Sequence, residues 1–219
     1  MKNNSKPIET NQQGLNENLT ATLVRHQKST YRKPIQQHNQ QAFESFIDWL
    51  GGGKDTLILD SCCGTGLSTA KLARLYPNHK VVGVDQSKFR LSKQSQLPDN
   101  GLLVRANCED FWRLCQQNKI VFEKHFILYP NPWPKAEHLK RRWHGHPVFP
   151  VLPELARETQ VRSNWPLYLE EFALAWQFIG QAKSKVIEFS TDDYLTLFEK
   201  KYSESDHTLY RVTLQSKLC

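Results

Sequence analysis

The sequence predicts an α/β fold with a doubly wound, mostly parallel sheet and an antiparallel edge strand. Short apolar runs alternate with segments of helical periodicity along most of the 219 residues, a pattern typical of repeated strand and helix units. One junction, residues 60–66 (Asp-Ser-Cys-Cys-Gly-Thr-Gly), places a glycine turn directly after an apolar run, as a strand-turn-helix unit requires. The length suits one domain of this kind.

The predicted elements follow in order from apolar runs, helical spacing and turn residues. Helices are predicted at 37–50, 66–76, 87–95, 109–117, near 149–156 and at 166–179. Strands are predicted at 56–60, 80–84, 101–105, 124–129, 158–163, about 184–190 and 207–214, with the last two forming an antiparallel hairpin at the sheet edge. Residues 1–20 are rich in Asn, Gln, Ser and Lys, so we expect a disordered leader before a single domain at 21–219.

The turn after the first strand predicts a site for a ligand that carries a ribose. Gly64 and Gly66 allow close approach to the backbone, and the free N–H groups of a helix start can bind polar atoms. The second strand ends in Asp85, whose carboxylate would lie beside this turn and accept hydrogen bonds from two ribose hydroxyls. A nicotinamide cofactor is disfavoured because the third glycine of G-x-G-x-x-G is missing. An ordinary strand-to-helix turn is the alternative.

Residues 127–142 join an apolar strand to a stiff loop and a basic run. The prolines at 130, 132 and 134 fix φ and favour extended neighbours, so Asn131 and Trp133 are presented from a non-helical loop. This layout predicts a planar ring held beside a polyanion, whose phosphates the following basic residues can reach: Lys135, Lys140, Arg141 and Arg142. A proline-rich turn followed by a solvated basic helix is the alternative.

Composition also favours a polyanionic partner. The chain has 29 Lys and Arg against 22 Asp and Glu, a formal charge of +7 and a pI near 9.1. One basic cluster comprises Lys135, His138, Lys140, Arg141, Arg142, His144 and His146, and a second comprises Arg25, His26, Lys28, Arg32 and Lys33. A solvated face is the alternative for both clusters.

Several classes of protein are disfavoured. No stretch approaches the about 18 apolar residues that span a bilayer, and the N-terminus lacks the apolar core of a secretory signal. The cysteines form no C-x-x-C pair and the histidines no H-E-x-x-H pattern, so we expect reduced thiols and no metal. These observations predict a cytoplasmic protein that does not contact a membrane.

Together the motifs resemble the bacterial tRNA (guanine-N7-)-methyltransferase family of class I S-adenosylmethionine-dependent methyltransferases. Asp60-x-x-x-Gly-x-Gly is similar to the first motif of that class, residues 130–135 to the family's Pro-Asp-Pro-Trp-Pro-Lys, and residues 196–199 to its closing Thr-x-Phe-Glu. The resemblance covers roughly residues 40 to 215. It implies a Rossmann-like fold, S-adenosylmethionine as cofactor, tRNA as partner, and methylation of N7 of a variable-loop guanine by a monomer or weak homodimer.

The resemblance also implies roles for individual residues. Cofactor contacts are expected from Asp60, Cys62, Cys63, Gly64, Gly66, Asp85, Gln86, Asn107 and Cys108. The catalytic loop would use Asn131, Trp133 and Lys135. Substrate contacts are expected from Lys135, His138, Lys140, Arg141, Arg142, Asn164, Thr196 and Glu199.

The chain departs from the family pattern at several of these positions. Cys62 replaces the first glycine of the cofactor motif, and amides stand for acids at Asn107, Asn131 and Asn164. Guanine N7 carries a lone pair and no proton, so attack on a methyl group needs alignment and desolvation rather than a general base. An amide in place of a carboxylate should cost about 1–2 kcal/mol per site. The alternatives are a catalytically impaired tRNA-binding paralogue and a methyltransferase that acts on another substrate.

Overall fold

Seven strands form one sheet in the computed structural model, which describes residues 5–53, 55–93 and 96–218. The strands are β1 (Thr56–Ser61), β2 (His79–Asp85), β3 (Gly101–Arg105), β4 (Phe122–Leu128), β5 (Ala156–Ser163), β6 (Val186–Phe189) and β7 (Leu209–Gln215). Their order is β3-β2-β1-β4-β5-β7-β6. The first five are parallel, and β7 lies antiparallel between β5 and β6. The mostly parallel sheet with an antiparallel pair at its edge is therefore confirmed.

The helices are α1 (Leu19–Gln27), α2 (Gln37–Leu50), α3 (Leu67–Leu75), α4 (Lys88–Leu91), α5 (Cys108–Gln117), α6 (Leu152–Leu155), α7 (Pro166–Phe178) and α8 (Leu197–Ser203). All seven predicted strands and the predictions for α2, α3, α5 and α7 agree to within two residues. None of the helices in the described part of the chain has both the length and the apolar character that crossing a membrane requires.

Two helices were not predicted, and two helical predictions need correction. α1 and α8 were not expected, although Leu19 and Leu23 of α1 are spaced to share one buried helix face. The helix predicted at 87–95 is only α4, with residues 94–95 outside the described ranges. The helix predicted near 149–156 is a 3-10 turn followed by the short α6, because a proline stands at the start of each.

Apolar side chains cover both faces of the sheet. One cluster includes Phe43, Phe111, Trp112, Phe172 and Trp176, and the other includes Ile58, Leu72, Val81, Phe126 and Leu128. Consecutive strand residues alternate between the clusters, as Ile58 and Leu59 do. The sheet is thus buried on both faces, and in such folds ligands bind beyond the carboxyl ends of the strands.

The polar segment before α1 differs from the expected disordered leader. The hydroxyl of Thr10 donates to the carbonyl of Pro134 (2.6 Å), and the backbone N–H of the buried Asn16 donates to the Glu171 carboxylate (2.7 Å). A buried carboxylate needs hydrogen-bond donors, so it can order a segment that has few apolar side chains. Residues 1–4 lie outside the described ranges.

Candidate active site

The glycine turn between β1 and α3 lies against the end of β2. The backbone N–H of Cys63 donates to the carbonyl of Val84 (3.1 Å). Gly64 and Gly66 have positive φ values of 62° and 79°, which L side chains rarely adopt. A methyl group at Gly83 of β2 would lie 2.1 Å from the hydroxyl of Thr69 on α3, so this glycine allows the helix to pack closely on the strand.

Asp60 is the penultimate residue of β1, and its fully buried carboxylate has one oxygen without a hydrogen-bond partner among the described residues. The hydroxyls of Ser68 and Thr69 both donate to its Oδ2 (2.6 and 2.7 Å), while its Oδ1 has no protein partner. Burial raises the pKa of Asp60 to about 6, against the lowering effect of the two hydroxyls. An unsatisfied buried oxygen is costly. Asp60 is therefore suited to accept a hydrogen bond from a ligand ammonium group.

Asp85 lies beside the turn with its carboxylate almost fully buried. Its Oδ2 accepts from the N–H of Gly64 (3.0 Å), and its Oδ1 accepts from the N–H of Ser87 (2.8 Å) and from Arg90 (3.0 Å). The Arg90 side chain is 45% exposed, whereas that of Asp85 is 2% exposed. Arg90 is therefore an exposed partner of a buried carboxylate. The neighbouring Gln86 is exposed.

The predicted adenine contacts, Asn107 and Cys108, begin α5. The backbone N–H of Asn107 donates to Asn39 Oδ1 (3.1 Å), and Asn39 Nδ2 donates to Asp110 Oδ2 (2.6 Å). The sulfur of Cys108 lies 3.6 Å from that of Cys62 in the glycine turn. The structure thus brings the two predicted cofactor segments together. Asn39 was missed because a lone polar residue on a helix carries no sequence signal.

The proline loop after β4 presents its asparagine to solvent. Asn131 is exposed, and its Oδ1 accepts from the backbone N–H of Trp133 (3.3 Å). Trp133 has a positive φ of 46° and is half-buried. The guanidinium of Arg141 lies 4.7 Å from its ring centroid, and the ring of His138 meets it edge-on at 5.6 Å. Trp133 is therefore already packed within the loop, against its basic neighbours.

The predicted phosphate contacts divide into exposed and buried residues. Lys135, Lys140 and Arg141 are exposed and available to a polyanion. The expectation for Arg142 is wrong, because its side chain is 0% exposed and forms an ion pair with the equally buried Glu171. Its remaining donors bind the carbonyls of Trp133 (3.1 Å) and Lys135 (3.2 Å) and the side chain of Gln12.

The closing Thr-x-Phe-Glu motif is structural. Thr196 caps α8 by accepting from the N–H of Glu199 (2.9 Å). The buried Glu199 accepts from Tyr129, Arg162 and the Leu195 N–H (3.0, 2.8 and 2.6 Å). Glu199 therefore has no free oxygen to offer a guanine or a methionine amino group, contrary to the expectation for it.

Asn164 is half-buried, and its Nδ2 pairs with Nδ1 of His207 (3.0 Å). Burial, with the charge of Glu199 nearby, raises the pKa of Tyr129 well above the usual tyrosine range.

In the described ranges, no three His, Cys, Asp or Glu side chains are grouped as a metal ion would need.

Comparisons with known proteins give consistent matches. A family model described as a putative methyltransferase matches residues 54–149. The tRNA (guanine-N(7)-)-methyltransferase of Corynebacterium efficiens is 24% identical over 217 residues, covering 90% of this chain and 84% of that protein. The protein of the same name from Neorickettsia sennetsu is 34% identical over 104 residues, covering 45% of this chain and 47% of that protein.

Solved structures share the fold at low identity. A 16S rRNA (adenine(1408)-N(1))-methyltransferase from Catenulisporales acidiphilia, solved as a mutant with the cosubstrate SAM, has a TM-score of 0.57 at 13% identity, covering 80% of this chain and 91% of that chain. An antibiotic-related methyltransferase has a TM-score of 0.55 at 16% identity, covering 86% of this chain and 96% of that chain. At these identities the likeness concerns the fold alone.

Proposed function

Because the chain is a divergent relative of the tRNA (guanine-N(7)-)-methyltransferases and has a methyltransferase fold, we propose that it transfers a methyl group from S-adenosylmethionine to N7 of a guanine in tRNA. The observation that carries this proposal is the convergence at one sheet edge of the unpartnered Asp60 oxygen, the Gly64–Asp85 contact and the exposed Asn131 loop. By family resemblance, the target is a variable-loop guanine.

The cofactor contacts follow from the donors and acceptors at the glycine turn. Asp60 Oδ1 would accept from the methionine ammonium group, which turns a costly buried oxygen into a charged pair. Asp85 would bind the ribose once Arg90 moves away. Asn107 and Cys108 would border the adenine from the start of α5. Bound S-adenosylmethionine supplies an electrophilic methyl group on a sulfonium.

The protein's part in methyl transfer is alignment and exclusion of water. Guanine N7 has a lone pair and no proton, so no residue must act as a base. Asn131 would hold the base through its amide, which can also accept one bond from the guanine edge. Trp133 and Lys135 would border the base and its phosphate. Thr196, Glu199 and Arg142 are left out of this assignment because they are engaged within the protein.

Two basic surfaces would hold the tRNA backbone. Lys140 and Arg141 follow the proline loop, and the second group lies on and after α1: Arg25, Lys28, Arg32 and Lys33, all exposed. His26 Nε2 pairs with the carbonyl of Gly145 (3.1 Å), which joins α1 to the segment after the loop. Burial lowers the pKa of His26, and the charges of Arg25 and Lys140 lower it further. The two groups therefore adjoin, and a polyanion would bridge them.

The test is single-turnover transfer from labelled S-adenosylmethionine to unmodified tRNA, with the nucleoside product identified by mass spectrometry. We expect 7-methylguanosine from the wild type, loss of the product in Asp85→Asn, and no change in Asp48→Asn, an exposed matched control on α2. Absence of transfer with intact tRNA binding would favour the impaired paralogue. Cofactor binding without salt-sensitive tRNA binding would favour another substrate.

We further propose a cytoplasmic location and a monomer or weak homodimer.

A further inference from the structure

The segment before α1 hydrogen-bonds to the backbone of the proline loop. Thr10 Oγ1 donates to the Pro134 carbonyl (2.6 Å), and the N–H of Ala136 donates to Asn11 Oδ1 (2.9 Å). Asn16 Nδ2 donates to the carbonyl of Ala136 (2.9 Å). These side chains come from more than a hundred residues earlier in the chain, yet they pair the backbone that directly follows Trp133.

The buried carboxylate of Glu171 connects the segment before α1 to the proline loop through Arg142. Glu171 of α7 accepts from Arg142 and His144 on Oε2, and from Gln12 and the Asn16 N–H on Oε1. Arg142 in turn donates to the carbonyls of Trp133 and Lys135. Gln12 contacts both charged partners, since its Oε1 also accepts from Arg142 (3.1 Å). One connected network thus spans the N-terminal segment, the loop and α7.

The loop needs such support because its backbone is strained. The positive φ of 46° at Trp133 is unfavourable for a bulky residue and persists only where its surroundings hold it. The prolines of the loop have no backbone N–H to donate, so the loop's carbonyl groups need hydrogen-bond donors from other segments. A buried ion pair adds little to stability compared with apolar packing, but a connected polar network can define one geometry. Both oxygens of Glu171 are paired in this network, whereas Nδ1 of the buried His144 has no partner among the described residues.

We propose that residues 10–16, together with the Glu171–Arg142 pair, form a brace that positions the Asn131 loop for methyl transfer. Gln12 and Glu171 are positioning residues in this role, since they act on the loop through Arg142 rather than on the substrate. The inference rests on the proposed function for its catalytic consequence. The brace does not contact Asp60 or Asp85, so its loss should alter the transfer rate and leave cofactor affinity unchanged.

The test compares Gln12→Ala with Gln13→Ala. Gln12 joins both charges of the network, whereas the adjacent Gln13 is exposed. Three quantities are measured: the single-turnover rate at saturating tRNA, the Kd for S-adenosylmethionine, and hydrogen exchange of a peptide covering residues 131–138. Only Gln12→Ala should slow transfer, by about ten-fold, and speed exchange in this peptide, with the Kd within about two-fold of wild type.

The outcomes separate the brace from the proposed function. Unchanged exchange and rate in Gln12→Ala would overturn the brace, as would an equal loss of cofactor affinity, which would indicate a general structural role. If the wild type forms no 7-methylguanosine, the proposed function fails. Faster loop exchange in Gln12→Ala alone would then still support the brace, and unchanged exchange would overturn it too.

Discussion

The carboxylate of Asp60 should make the protein without cofactor less stable as pH rises. Burial raises its pKa to about 6 in the folded state, whereas a free aspartate ionises near 3.8. The neutral form's stabilising contribution is fully present below about pH 4 and is lost as pH rises through 6. The difference between these two pKa values corresponds to about 3 kcal/mol of stability. Asp60→Asn stays neutral at every pH and should escape this loss.

The measurement is urea unfolding of wild type and Asp60→Asn without cofactor, at about pH 4.5 and pH 8. The difference between the unfolding free energies of the two proteins at each pH removes the contributions of the titrating groups that they share. The linkage relation with these pKa values gives a relative gain for the variant of about 2 kcal/mol between the two pH values. A stability difference that does not change with pH would refute the reasoning, because it would mean that Asp60 titrates normally.

The same substitution should impair cofactor binding, although it gains stability relative to the wild type as pH rises. The unpartnered Oδ1 would be replaced by an amide in Asp60→Asn, and the charge that attracts an ammonium group would be lost. We expect the Kd for S-adenosylmethionine, measured by calorimetry at pH 8, to rise at least about ten-fold. In the wild type the Kd should rise as pH falls below about 6, when Asp60 takes up its proton.

Three further predictions concern the loop, the basic surface and the closing motif. Asn131→Asp should raise the single-turnover rate by about ten-fold through a charge-assisted bond to the guanine, and an unchanged rate would show that the amide already suffices. Lys135→Ala and Arg141→Ala should each weaken tRNA binding for all sequences and lower the salt slope by about 1, and an unaltered slope would exclude phosphate contact. Glu199→Gln should destabilise the fold by about 3–5 kcal/mol, because it removes the buried carboxylate charge that pairs with Arg162, and a loss of activity at full stability would instead restore the predicted substrate role.

Much of the fold and the backbone of the candidate site could be predicted because the signals are local. Apolar runs and helical spacing indicated all seven strands and four of the eight helices of the described residues to within two residues. The glycine turn and the acid ending β2 indicated where a ribose would bind, since carboxyl ends of parallel strands meet at one edge. The prolines indicated an irregular loop that exposes Asn131, and the structure has that loop.

The roles of the charged side chains were decided by the tertiary structure alone. Arg142 and Glu199 look like surface residues in the sequence, yet each is buried by a partner distant along the chain, Glu171 or Arg162. The polar segment at 5–18 is ordered for the same reason, because Asn16 reaches that carboxylate. A charge is stable in the interior only when its donors and acceptors are matched, and that matching depends on which distant residues the fold brings within hydrogen-bond distance.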